Sequence, residues 1–169
     1  MGLVQVATNT VTSAVASVTL TGIDSDDVYM VAINNFIPVN NDVSAYMRIT
    51  KSGTADTTSN YDSAYKYLKS HTSFGNNGDA NEDKINFGNV GTGTSEGVNS
   101  IINLYNFNSS SEYSYATQED TTLNSSAQHQ GKQGGFVHTV ASASDGLYFY
   151  MASGNIASGT FTLYKQVGS

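Results

Sequence analysis

The pentapeptide Gly93-Thr94-Ser95-Glu96-Gly97 fits the G-x-S-x-G pattern of a nucleophile elbow. That chemistry needs the serine on a sharp turn between a strand and a helix of an α/β sheet, with a base and an acid beside it. Residues 90–93 read as a loop and those after Ser95 as a strand, so a chance match in a Gly- and Ser-rich chain is expected. Gly91 and Gly93 begin something like a dinucleotide fingerprint, but the third glycine falls one residue late, and no Gly-Lys-Ser/Thr phosphate loop exists. His71, His129 and His138 lack zinc-like spacing. His129 and His138 could meet across a hairpin, although solvated or lightly hydrogen-bonded imidazoles are the plainer expectation. The richest acidic cluster, Asp24, Asp26 and Asp27, lies in a turn between two strands and offers the oxygen donors that calcium takes. It lacks the calcium-loop glycine and distal Glu, and Asp-rich turns more often satisfy their own backbone. A second acidic loop, Asp79, Glu82 and Asp83, is a weaker candidate. No catalytic, cofactor-binding or metal-binding residue is assigned, and the chain reads as a non-enzyme without a cofactor.

The elements that would carry such groups are almost all of one kind. Tyr61, Ala64, Tyr65 and Leu68 fit a helical spacing, but Tyr65, Tyr67 and Lys69 also alternate, and the segment is read as a strand. The remaining candidates show period two or short apolar runs, near residues 3–7, 16–21, 28–36, 44–51, 61–69, 85–88, 98–107, 112–118, 134–140, 146–152 and 159–167. Turn chemistry separates them, including 22–27, 53–58, 75–83, 91–97 and 153–158. This pattern predicts an all-β, antiparallel β-sandwich of jelly-roll-like form. One domain spans 16–169, preceded by residues 1–15 as an uncharged, β-prone N-terminal arm or edge strand. Three Tyr-x-Tyr triplets occur: 65–67, 113–115 and 148–150. In a strand each triplet places both tyrosines on one face. Phe149 is expected in the core, and the first two pairs are expected as core-facing rows.

Composition narrows the function. Ser, Thr, Asn and Gly make up 73 of the 169 residues, with 11 Tyr, 7 Phe and no Trp or Cys. The absence of cysteine excludes disulfides and thiolate metal sites. Seven cations against fourteen acids, net −7 and scattered, do not build the phosphate-neutralising patch that nucleic acids require. The longest apolar runs, 28–33 and 147–152, fall far short of the ~20 residues of a membrane helix, and no signal peptide is read at the N-terminus.

The C-terminal stretch Asp145-Gly146-Leu147-Tyr148-Phe149-Tyr150-Met151-Ala152-Ser153-Gly154-Asn155-Ile156-Ala157-Ser158-Gly159-Thr160-Phe161-Thr162-Leu163-Tyr164 resembles a family of small virion proteins from marine tailed bacteriophages. That family has a strand, a Ser-Gly-Asn-Ile turn and a closing Gly-Thr-Phe-x-Leu-Tyr strand. Val18-Thr19-Leu20-Thr21-Gly22-Ile23-Asp24 with Val28-Tyr29-Met30-Val31, then Tyr46-Met47-Arg48-Ile49-Thr50 and Asn60-Tyr61-Asp62-Ser63-Ala64-Tyr65, look like its earlier segments. Lys165-Gln166 replaces the glycine that often ends the family's pattern. The resemblance implies a jelly-roll-like sandwich on the surface of a virion assembled in the host cytoplasm.

Its expected role is a capsid decoration protein, a knob or cement piece on the outer face of the head. Its partners would be the major capsid protein or other virion proteins, in a homo- or hetero-oligomer, with neither nucleic acid nor membrane engaged. The alternative is a tail-associated module that binds a receptor or a host surface glycan. Tyrosine, Asn and Ser permit stacking and hydrogen bonding to sugars, but no heptads or shaft repeats accompany them.

Overall fold

Period-two alternation becomes strand structure wherever one face of the backbone can be covered. In Val98–Tyr105 the side chains of Val98, Ser100, Ile102 and Leu104 point inward, while Asn99, Ile101, Asn103 and Tyr105 point outward. Val43–Lys51 does the same with Val43, Ala45, Met47 and Ile49. The computed structural model describes residues 2–124 and 126–168; Met1, Ser125 and Ser169 lie outside them. No helix occurs among the described residues, so none is long and apolar enough to cross a membrane.

Among the described residues, thirteen strands form two sheets. The larger sheet runs β1 (Gly2–Val11), β13 (Ile156–Val167), β3 (Tyr29–Pro38), β9 (Val98–Tyr105), β10 (Ser114–Leu123), β11 (His129–His138), β6 (Tyr61–Lys69) and β7 (Gly75–Glu82). The smaller runs β2 (Ser17–Thr21), β12 (Gly146–Met151) and β4 (Val43–Lys51), with β8 (Ile85–Val90) and the two-residue β5 (Thr54–Ala55) both paired to β4. Every pairing between named strands is antiparallel. The quartet β1-β13-β3-β9 faces the quartet β2-β12-β4-β8, and the chain changes sheet at β1–β2, β2–β3, β3–β4, β5–β6, β7–β8, β8–β9, β11–β12 and β12–β13. That is a jelly roll. Two insertions, β5–β7 after β4 and β10–β11 after β9, widen one sheet from four strands to eight. The expected antiparallel β-sandwich of jelly-roll form is therefore the fold.

The core centres on four phenylalanines drawn from both sheets. Phe36 and Phe161 come from the large sheet and Phe87 and Phe149 from the small one. Their ring centroids lie 5.0 Å (Phe36–Phe161), 5.1 Å (Phe149–Phe161), 6.1 Å (Phe36–Phe87) and 6.3 Å (Phe36–Phe149) apart. Facing bulges let the first pair point inward: β3 shifts register between Ile33 and Phe36, with Asn35 at φ 54°, and β13 shifts beside Gly159 at φ 151°. A Cβ on Gly159 would stand 3.1 Å from the Asn35 carbonyl oxygen and 3.1 Å from the Phe161 ring. Gly154 supplies the other positive φ, 73°, in the turn before β13. These two glycines explain the physical content of the C-terminal Ser-Gly-Asn-Ile…Gly-Thr-Phe pattern.

Three sequence expectations require correction. Residues 75–83, read as a turn, are mostly strand β7, an edge strand of Gly, Asn and Asp with no apolar row to betray it. β10 and β11 extend to 123 and back to 129, beyond the expected 118 and 134, because their inward row there is polar. Tyr113 and Tyr115 are exposed rather than core-facing; Tyr113 precedes β10 and Tyr115 lies on its solvent side. Tyr65 is buried as expected, and Phe149 sits in the core between half-buried Tyr148 and Tyr150.

Candidate functional site

The solvent face of the eight-stranded sheet carries the chain's open polar surface. Cross-strand register sets its residues in three adjacent rows. The first is Tyr105–Tyr115–Val137–Asp62. The second is Met30–Asn103–Thr117–Gly135–Ala64–Gly78. The third is Ala32–Ile101–Glu119–Gln133–Lys66–Asn76. Side chains directly opposite one another are near neighbours, so each row is a continuous ridge or trough. The middle row falls to Gly, Ala and Gly over β11, β6 and β7, and this lowers it between its neighbours. Three shallow depressions mark this face. One of about 360 Å³ lies between Tyr115, Val137, Asp62 and Ala64, and one of about 320 Å³ lies between Asn103, Thr117, Glu119 and Gln133. A third of about 430 Å³ lies around Asn34, Asn99, Ile101, Glu119 and Thr121. Tyr115 is 47% exposed, Tyr105 37% and Ile101 41%. Gln133 donates to Glu119 at 2.8 Å and Asn103 to Thr117 at 3.4 Å, which fixes the polar groups without enclosing them.

The other face tyrosines are already engaged. On the small sheet Tyr150 lies between Tyr46 and Tyr148, with 5.4 Å from its ring centroid to each. Arg48 lies 4.9 Å over the Tyr150 ring and Lys84 lies 5.3 Å over Tyr46. Asp83 joins the two cations, bonding Arg48 directly and Lys84 at 2.6 Å. Of the three tyrosine triplets, only the one containing Tyr115 presents aromatic surface free of such cover.

Beneath the open face, the inward row of the inserted hairpin is polar. Asp120 on β10 stands opposite Lys132 on β11, both buried, with Nζ 3.5 Å from Oδ2. Gln118 donates to both Asp120 oxygens at 3.0 and 2.8 Å, and Ser100 donates at 2.5 Å. Lys132 also donates to the Asn86 carbonyl on β8 at 2.5 Å and sits 3.9 Å from the Tyr65 ring centroid. Tyr65 in turn donates to Gln118. Burial pushes Asp120 upward and Lys132 downward from their ordinary pKa ranges, while each charge pulls the other back. The space lined by both Asp120 and Lys132 measures only about 20 Å³, too little for a substrate, so the pair positions strands. A lone Asp and Lys in polar segments gave no sequence sign of their pairing.

The candidates from the sequence resolve as follows. Asp24 and Asp27 bracket the Lys165 ammonium, 3.7 and 2.8 Å away, and Ser25 Oγ and Tyr29 Oη complete the cluster. Tyr29, Ser25 and Lys165, in that order, hold Asp24 below the usual carboxylate range. A side-chain ammonium occupies the position a calcium ion would take, and Asp26 stands outside these contacts. Among the described residues, no group of three or more His, Asp or Glu is arranged to hold a metal ion. Ser95 lies in a loop where Glu96 accepts from the Gly93 N–H at 2.8 Å, without the strand and helix that an elbow needs. His129 and His138 occupy opposite ends of β11 and do not meet; His129 bonds Thr121 at 2.9 Å.

His138 is fully buried beside the Tyr61 ring, 4.9 Å between centroids, with Nε2 3.4 Å from Asp56. Burial, then the nearby Lys51 charge, push its pKa below 6.5 against the pull of Asp56. Burial tends to raise Asp56, but Lys51 at 2.8 Å and the Thr58 hydroxyl and N–H prevail and hold it at about 2. As pH falls below 6.5 the unfolded chain takes up a proton that folded His138 resists, so stability declines with acidity. Asp56 adds loss in the same direction below 3.8, because its folded pKa is the lower one. The melting temperature is expected to fall between pH 7 and pH 5, and His138→Phe should flatten that slope. An unchanged slope in the variant would assign the pH dependence elsewhere.

Comparison with protein-family models, with curated proteins and with solved structures gives no match.

Proposed function

We propose that this chain is a non-enzymatic structural protein of a bacteriophage virion, a decoration protein seated as a knob or cement piece on the outer face of the head. The observation that carries the reading is the contrast between the two edges of the large sheet. An unpaired strand edge invites another strand, and charged side chains ordinarily blunt it. The β7 edge bears Asp79 and Glu82. The β1 edge runs ten residues without a charge, in a stretch that has none before Asp24, and leaves Leu3 and Val4 half exposed. β1 is not a loose arm: nine of its residues pair with β13, and Val11 enters the core. It is a fixed edge able to accept a strand from the major capsid protein, another virion protein or a second copy. The resemblance of the β12–β13 segment to small phage virion proteins points the same way.

Immunogold labelling of intact particles with antibody to the purified chain tests this directly. Gold spread over the head is the expected result. Gold confined to the tail would replace the decoration role with that of a tail-associated receptor-binding module, the second reading, which the open polar face of the large sheet favours.

A further inference from the structure

We infer that the trough on the solvent face of the eight-stranded sheet binds a neutral oligosaccharide chain laid across the strands. From β9 to β7 the middle row crosses five strands, about 19 Å at ~4.8 Å per strand, which accommodates a short run of sugar rings. Its floor at Gly135, Ala64 and Gly78 lacks side chains that would hold a flat ring off the sheet. Along one wall Tyr105 and Tyr115 stand opposite each other on adjacent strands, offering apolar ring surface with hydroxyl tips, the amphipathic contact that a pyranose presents in return. The floor and the other wall supply Asn103, Thr117 and Gln133, which both donate and accept hydrogen bonds, and the Glu119 carboxylate, which accepts, as neighbouring sugar hydroxyls require.

Charge selects the class of sugar. Asp62 and Glu119 flank the trough against the single cation Lys66, in a chain of net charge −7. Uronates, sulfated glycans and phosphate backbones meet repulsion there, whereas uncharged hexoses do not. The inner network reinforces the arrangement: Gln118 and Asp120, anchored below, alternate along β10 with Thr117 and Glu119 above. The trough is therefore rigid before any ligand arrives, and little ordering entropy opposes binding. This inference does not depend on where on a particle the protein sits.

The test is an array of neutral hexose, deoxyhexose and N-acetylhexosamine oligosaccharides, with uronate-containing and sulfated ones as the acidic set, probed with the full chain. At least one neutral oligosaccharide is expected to bind. Tyr115→Ala, which removes the platform, and Ala64→Phe, which fills the floor, are each expected to weaken that binding roughly tenfold. Both positions face solvent, and unchanged melting curves would show that the variants fold. Should Ala64→Phe fail to fold, Asn103→Ala takes its place. Failure of every neutral oligosaccharide to bind, binding confined to the acidic set, or binding untouched by the variants would each overturn the assignment.

Discussion

Lys132→Ala is expected to destabilise the fold by about 3–5 kcal/mol, although it deletes only one cross-strand ion pair. The reason is what remains. Asp120 stays buried among Gln118 and Ser100 donors with no cation near it, and the Asn86 carbonyl and the Tyr65 ring lose the ammonium they faced. A desolvated carboxylate of this kind must either take up a proton or drag water inward, and both courses cost stability. Replacing both partners by apolar residues, Asp120→Leu with Lys132→Met, should recover most of the loss, because the pair's mutual attraction only offsets its desolvation. Urea denaturation of the parent, Lys132→Ala and the double variant measures this. The single variant should shift the midpoint strongly at unchanged slope, and the double should lie much nearer the parent. A single variant within about 0.5 kcal/mol of the parent, the scale of an ordinary surface change, would mean the pair is solvated and the strands are held in register by something else. Loss of register here would also be felt outside, since the same β10 backbone presents Thr117 and Glu119 to the trough.

The other large effect belongs to the aromatic centre. Phe149→Ala should cost about 3–5 kcal/mol, a sizeable part of the ~5–15 kcal/mol that keeps a domain of this kind folded. Phe149 is the small sheet's contact with both Phe36 and Phe161, so its removal opens a void between the sheets that neither bulged strand can close. Phe149→Leu keeps most of the volume and should cost far less. The exposed Val39→Ala should change stability by only a few tenths of a kcal/mol. Thermal melts ranking the three in that order would place the keystone of the sandwich at Phe149. Equal losses for Phe149→Ala and Val39→Ala would deny it.

Much of this was legible before any coordinate. Alternating Val, Ile and Leu in 98–105 and Ala, Met and Ile in 43–51 require a pleated strand with one covered side, and the Tyr-Phe-Tyr triplet already placed Phe149 inside. Gly154 and Gly159 announced positive φ because only glycine tolerates it cheaply. The missing charge before Asp24 identified the unguarded edge. All are local properties, carried by a residue and its near neighbours in sequence.

What tertiary structure alone decided is which distant segments meet. β7 is a strand only because β6 offers it hydrogen bonds; its own side chains carry no signal. Lys165, from the last strand, reaches the Asp24–Asp27 turn near the start of the chain and neutralises a cluster that by itself looked ready for a cation. Tyr65 and Tyr115 share the same motif, yet one packs on Lys132 in the interior and the other stands in solvent. A strand's period of two fixes which residues share a face, but not which face is covered. Coverage depends on the opposing sheet, and here β8 carries it under the inserted strands, where Lys132 reaches the Asn86 carbonyl and Tyr65, Gln118 and Phe136 are buried. The β10–β11 hairpin buries Asp120 and Lys132 against β8 on one face and leaves the trough open on the other, and no run of residues along the chain encodes which face is covered.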